Sequence, residues 1–334
     1  MTRAVTAVAP GRVNLIGDHT DYAGGTALPM AIDLGTTVTY TAGGERLEIR
    51  STTTGDRTIL RAGDDHEPGS FAAMVAGLLA VLGPRAGLLE VDSTLPLGAG
   101  LSSSASLLVA GAMALGAPQQ DLELALLCQE AERQAGQDVG LLDQMAIIAG
   151  RAGHAVLIDF AELTSTPLPL PDDLQVVIVH SGQDRSLASG AYAERRAEVA
   201  AAEALVGPLP RATPQQLAEI DDPVLARRAQ HVSAECARVA AFARTIITDP
   251  AEAGRLMVES HRSLSELFEV STPQIDALVA DVAHRPGVLG ARMTGGGFGG
   301  CIVAVAERGA LDPRSFDRAW TVRPADGAAL SPTG

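Results

Sequence analysis

The chain has 334 residues, 46% hydrophobic and 19% charged, so it can bury a full core and is not disordered by composition. Its formal net charge is −15 and all 25 basic residues are arginine, which argues against nucleic-acid and anionic-membrane partners. Without lysine there is no Walker-type phosphate-binding amine and no Schiff base. Cys128, Cys236 and Cys301 lie far apart and follow no metal or disulfide spacing, and no apolar run reaches membrane-spanning length. A reduced, cytoplasmic, soluble protein, monomeric or a weak dimer, is expected.

Residues 4–60 alternate and are rich in Thr, Val and Ile, which predicts strands, among them 34–40 and 47–59. The apolar Val13, Leu15 and Ile16 lead into a Gly17 turn that gathers Arg12, Asp18, His19 and Asp21 where a strand ends. Carboxylates there can accept from sugar hydroxyls while imidazole and guanidinium donate. The plainer reading is a charged loop closing a hairpin.

Helical spacing covers Phe71–Leu82, and 88–93 reads as a strand. A turn of small residues follows: Gly98, Ala99, Gly100, Leu101, Ser102, Ser103 and Ser104. Small residues let a backbone approach a ligand, and the free N–H groups of the helix predicted over 102–115 suit a phosphate. The serine hydroxyls can reach a phosphate oxygen or a magnesium ion. The motif is neither a Walker loop nor GxGxxG, and a plain serine cap after a glycine turn is its alternative.

Helices are predicted over 119–135 and 140–150. Asp143 is the one ionisable group in the second, an otherwise apolar stretch. Burying a carboxylate costs several kcal/mol unless a cation pairs with it. Arg12 is the natural partner; a solvent-facing acid on an amphipathic helix is the alternative. A strand at 155–159 precedes the Pro-rich 166–173, the expected lobe boundary, with lobes at 1–165 and 166–334. Then come a strand at Leu174–His180, a loop reaching Ser186 and Tyr192, and helices over 193–205, 226–247, 251–267 and 272–283. The closing hairpin, 290–306, holds five glycines in the six residues 295–300, more than a turn needs, so something passes close to that backbone. Strands first, helices later and a terminal hairpin predict an α+β protein in two lobes.

Three glycine-bearing motifs in this order, with Asp143 between the second and third, resemble the GHMP small-molecule kinase superfamily. Residues 11–22 are similar to the signature of its galactokinase family. Residues 128–132 and 140–144, Cys-Gln-Glu-Ala-Glu and Gly-Leu-Leu-Asp-Gln, are similar to that family's catalytic segment, and 186–192 and 292–301 also match. The resemblance runs from about residue 8 to 323–328.

It implies an N-terminal mixed α/β lobe with a left-handed β-α-β unit and a C-terminal ferredoxin-like lobe, with ATP and sugar meeting between them. Residues 98–104 would wrap the triphosphate, with Ser103 or Ser104 and Glu132 holding Mg²⁺. Asp143 would take the proton of the anomeric hydroxyl or orient it, and Arg12 would keep Asp143 ionised. Asp18, His19, Asp21, Gly140 and Tyr192 would contact the sugar, with D-galactose phosphorylated at C1. Three features depart from the family pattern. Asp18 stands where glutamate is usual, Glu132 and Asp143 are one residue closer, and 71–77 lacks the usual Trp and Tyr. The first keeps another sugar open: L-arabinose, galacturonate or a longer biosynthetic sugar. A non-catalytic galactose sensor is a further alternative, against which stand the intact Ser104, Ala105 and Asp143.

Overall fold

The computed structural model describes residues 4–60, 64–96, 98–183 and 188–331. Strand β1 (Ala4–Ile16) pairs antiparallel along its length with β2 (Thr26–Ala42), whose 17 residues run through the first sheet. Strands β3 (Leu47–Ser51) and β4 (Arg57–Leu60) form a hairpin, and helix α1 (Phe71–Leu82) leads to β5 (Gly87–Ser93). Strand β5 lies between β2 and β3, antiparallel to the first and parallel to the second. Helix α1 therefore sits in the connection between two parallel neighbours, the place of the implied β-α-β unit. Helices α2 (Ser103–Ala114), α3 (Asp121–Gln134) and α4 (Leu142–Ile148) follow. Val38, Ile49, Leu89, Val75, Leu78, Leu108 and Cys128 interlock between this sheet and α1–α3.

Strands β6 (His154–Asp159) and β7 (Thr164–Pro169) extend the sheet from β2. The Pro-rich stretch expected to separate two lobes is thus partly a strand. Proline is admitted because, among the described residues, β7 pairs only with β6, leaving its other edge without a ladder to break. The second sheet takes the order β11-β8-β10-β9, from β8 (Leu174–His180), β9 (Val288–Met293), β10 (Cys301–Glu307) and β11 (Ala319–Val322). This is the ferredoxin-like strand order, with a single 3₁₀ turn at Pro313–Ser315 in place of the second helix. Between β8 and β9 run α5 (Ala188–Val206), α6 (Pro214–Ala218), α7 (Pro223–Thr245), α8 (Pro250–Glu266) and α9 (Pro273–Ala283). Asp222, Asp249 and Thr272 cap the last three, each followed by proline at the first helical position. That signal starts α7 three residues before the sequence periodicity does.

The lobes are not consecutive in the chain, since β12 (Ala329–Leu330) returns to pair with β1. Nor are they separate in their packing. Val13, Leu15, Leu28 and Met30 of the first sheet share one apolar cluster with Ile178 and Val303 of the second and with Val239 and Phe242 of α7. Helix α8 lies on β9 at very close range: a Cβ on Gly254 would meet the Leu289 carbonyl oxygen at 2.1 Å. Gly254→Ala is expected to lower unfolding stability by about 1–3 kcal/mol, the usual cost of overpacking, read from a urea melt.

Candidate active site

Strand β1 delivers Arg12 beneath the glycine turn that precedes α2. The Arg12 backbone N–H donates to the Leu101 carbonyl at 3.3 Å, and Nη1 donates to the Gly100 carbonyl at 2.9 Å. Its Nε and Nη2 lie 2.8 and 2.6 Å from Asp143 Oδ1. The arginine side chain is 8% exposed and the carboxylate 30%, so the pair is sheltered on one side and open to the cleft on the other. Asp143 stands in the first turn of α4, where unpaired N–H groups favour an anion.

The Ser102 hydroxyl donates to the other carboxylate oxygen, Asp143 Oδ2. Ser102 was expected to face nucleotide, and its side chain is turned to Asp143 instead. It does so from a left-handed backbone with φ 61°, uncommon for a residue bearing a Cβ. Asp143 is therefore fixed from both sides, a role for Ser102 that its position in the motif did not show.

Gly98 and Gly100 each take φ 71°, and Ala99 and Leu101 are buried, so this loop offers backbone rather than side chains. Leu97, in the same motif, lies outside the described residues. Ser103 and Ser104 line a cavity of about 240 Å³ together with Thr53, Phe71 and Met74. The Ser104 hydroxyl donates to Glu132 Oε1 at 3.1 Å, and Gln144 Nε2 donates to Oε2 at 2.7 Å. Burial, and then the charge of Asp143, push the Glu132 carboxyl up to about 7. Ser103 is exposed beside them. Gln144, next to Asp143 in sequence, is a partner that sequence reasoning missed.

On the opposite side of Asp143, Asp21 opens the short 3₁₀ turn Asp21–Ala23 and rests directly on Gly140. A Cβ at position 140 would lie 1.5 Å from Asp21 Oδ2. Burial, and then the Asp143 charge, push Asp21 up to about 6. His19 takes φ 63°, its Nδ1 lies 3.0 Å from the Tyr22 hydroxyl, and its ring stacks at a tilt 4.6 Å from Phe268 and 5.6 Å from Tyr192. Tyr192, on α5, also packs against Gly296. Ser186, in the motif that leads to Tyr192, lies outside the described residues.

Asp18 is placed differently from its neighbours. It is 4% exposed and turned into the protein, Oδ1 accepting from the Gly295 N–H at 3.1 Å and Oδ2 2.7 Å from Arg292 Nη2. Burial pushes its carboxyl up, with Arg292 opposing. The glycine-rich third loop is held in turn by Phe298 N–H on the Val270 carbonyl at 2.7 Å and Gly300 N–H on the Gln183 carbonyl at 2.9 Å. The structure thus brings Arg12, Asp143, Ser102, Ser104, Glu132, Asp21 and Gly140 to one cleft, with His19 and Tyr192 at its aromatic end.

Comparison with known proteins finds related families along most of the chain. The galactokinase galactose-binding signature matches residues 2–42, the GHMP kinase N-terminal domain 70–151 and the GHMP kinase C-terminal domain 239–314. The galactokinase of Mycobacterium tuberculosis is 40% identical over 337 aligned residues, covering 94% of this chain and 91% of its own. The chain belongs to the galactokinase family. The human galactokinase is likewise 40% identical, over 90% of this chain and 83% of its own. The crystal structure of Lactococcus lactis galactokinase complexed with galactose superposes with a TM-score of 0.87 at 28% identity, over 98% of this chain and 95% of that one. The family's GHMP kinase fold accounts for the two sheets and the cleft between them. Within that cleft the contact of Asp21 with Gly140 is easily disturbed. Gly140→Ala is expected to raise KM for the sugar about 30-fold, the equivalent of one charged hydrogen bond of about 2 kcal/mol, with KM for ATP unchanged in steady-state assays.

Proposed function

We propose that the chain transfers the γ-phosphoryl group of ATP to the anomeric hydroxyl of D-galactose, giving galactose 1-phosphate and ADP. The observation that carries this reading is Asp143, held on Oδ1 by Arg12 and on Oδ2 by Ser102, between a phosphate-type loop and a carboxylate-lined recess. The relatives' galactokinase names support the sugar and the nucleotide.

Asp21 accepts sugar hydroxyls, and His19 and Tyr192 bound the apolar face of the ring. Asp143 orients the C1 hydroxyl toward the γ-phosphorus and receives its proton as the new O–P bond forms and the bond to ADP breaks. Phosphoryl transfer has a loose transition state, so positioning and charge matter more than proton abstraction. Arg12 lies against both Asp143 and the loop carbonyl at Gly100, where it offsets charge gathering on the moving phosphoryl group. The backbone of 98–102 and the start of α2 receive the phosphates. The cavity beside Ser103 and Ser104 takes the nucleoside, with Phe71 and Met74 supplying apolar surface.

Glu132 and the Ser104 hydroxyl are hard oxygen donors side by side, the donor type Mg²⁺ selects. Among the described residues no three His, Cys, Asp or Glu side chains form a metal cage, so water and phosphate oxygens would complete the shell. When bound, the ion would neutralise phosphate charge. Among the described residues no helix is long and apolar enough to cross a membrane. We place the protein in the cytoplasm, as a monomer or weak dimer.

Incubating the protein with ATP, Mg²⁺ and free sugars, then locating the phosphate by NMR, tests this reading. Galactose 1-phosphate is expected, and equal or faster turnover of L-arabinose or galacturonate would overturn galactose as the substrate. Arg12→Ala and Asp143→Ala are each expected to lower kcat by about 10²–10³-fold, as when one electrostatic partner of a transition state is lost, with sugar binding affected less in calorimetry. Asp21 should give the profile an acid limb. It is ionised above about 6 and protonates below, so kcat/KM for the sugar falls as pH drops through that value. Asp21→Asn is expected to remove the part of that limb near 6 and leave the part near 7 that Glu132 gives.

A further inference from the structure

Behind the first loop lies a cluster of buried charges that none of the steps above uses. Glu235, on α7, is fully buried. Its Oε1 accepts from the Gly17 N–H at 3.0 Å and from the Ser260 hydroxyl at 2.5 Å, while Oε2 accepts from Arg238 Nε at 2.7 Å. Burial pushes this carboxyl up, yet Arg238 and Arg292 outweigh it and hold it down at about 2. Arg292, on β9 and also fully buried, stands 3.9 Å from Glu235 Oε1 and 2.7 Å from Asp18 Oδ2. His231 closes the group, its Nδ1 2.8 Å from the Ser263 hydroxyl and its Nε2 3.3 Å from the Asp18 carbonyl. Stripped of water it falls to about 4, so it is neutral at pH 7, and the guanidiniums of Arg238 and Arg292 face the carboxyls of Glu235 and Asp18.

An uncompensated charge in such a place costs several kcal/mol, so each member is tied to the others. Two of the ties end on the first loop, at Gly17 and Asp18, and the loop then carries the constraint forward. The Thr20 hydroxyl donates to the Gly17 and Thr26 carbonyls at 3.0 and 2.8 Å, which fixes where Asp21 begins. Both Asp18 oxygens are meanwhile engaged by the protein.

We propose that Glu235 and Arg292 are positioning residues for the sugar loop, and that Asp18 is their link to it and not a contact to the sugar. This rests on the sugar-kinase reading, which wild-type turnover tests separately. The experiment takes the sugar that the wild type phosphorylates fastest and measures steady-state constants for Glu235→Gln, Asp18→Asn and the double variant. Each single change is expected to raise KM for the sugar about tenfold, as for loss of one charged contact, with kcat and KM for ATP within about threefold. The double variant should be no worse than the poorer single, because both break one connection. For Asp18→Asn the factor should stay the same with each monodeoxy analogue of that sugar. Ser260→Ala, which removes one bond to Glu235 without changing charge, should shift KM for the sugar in the same direction by a smaller factor. It carries the test should Glu235→Gln fail to fold by its thermal melt. Unchanged KM for the sugar in folded Glu235→Gln or Ser260→Ala, an equal rise for ATP, or a penalty for Asp18→Asn that vanishes with one deoxy analogue would each overturn the proposal.

Discussion

The guanidinium of Arg12 is the meeting point of everything else in the cleft. One edge holds the Asp143 carboxylate and one nitrogen holds the Gly100 carbonyl, so a single planar group sets the distance between the acid and the phosphate-type loop. An ammonium could not do this, because its donors are not laid out in a fixed fork. Ser102 completes the arrangement from the far side, at the expense of a left-handed backbone that other parts of the loop must enforce. The acid is thereby held by the protein's own groups, the kind of preorganisation on which electrostatic catalysis relies.

Much of this was legible in the sequence because it is written locally. A carboxylate alone in an apolar stretch, a run of glycine and serine between strand and helix, and a charged turn after a strand each announce themselves within a dozen residues. Arg12 and Asp143 were paired by charge balance alone, although 131 positions separate them. Helices α1–α4 and α7–α9 fall close to their expected spans, since 3.6-residue periodicity survives even where a proline start is overlooked. By contrast, α5 begins five residues early and takes in Tyr192, and α6 has no expected counterpart.

What stayed hidden depends on long-range geometry or on context that reverses a local rule. Glu235 accepts from a backbone N–H 218 positions away, and nothing around it in α7 distinguishes it from a surface acid. Asp18 reads like Asp21 in sequence, yet one enters a buried ion pair and the other rests against Gly140. Proline argued against a strand at 164–169, and only the edge position of β7 makes it harmless.

The apolar cluster shared by both sheets constrains how the cleft is entered. A clamshell motion of the two halves would expose Val13, Leu15, Ile178, Val303 and Phe242 to water, at roughly 1.5–3 kcal/mol for each side chain. Wide hinging is therefore disfavoured, and the floor of the cleft is one packed body continuous with both sheets.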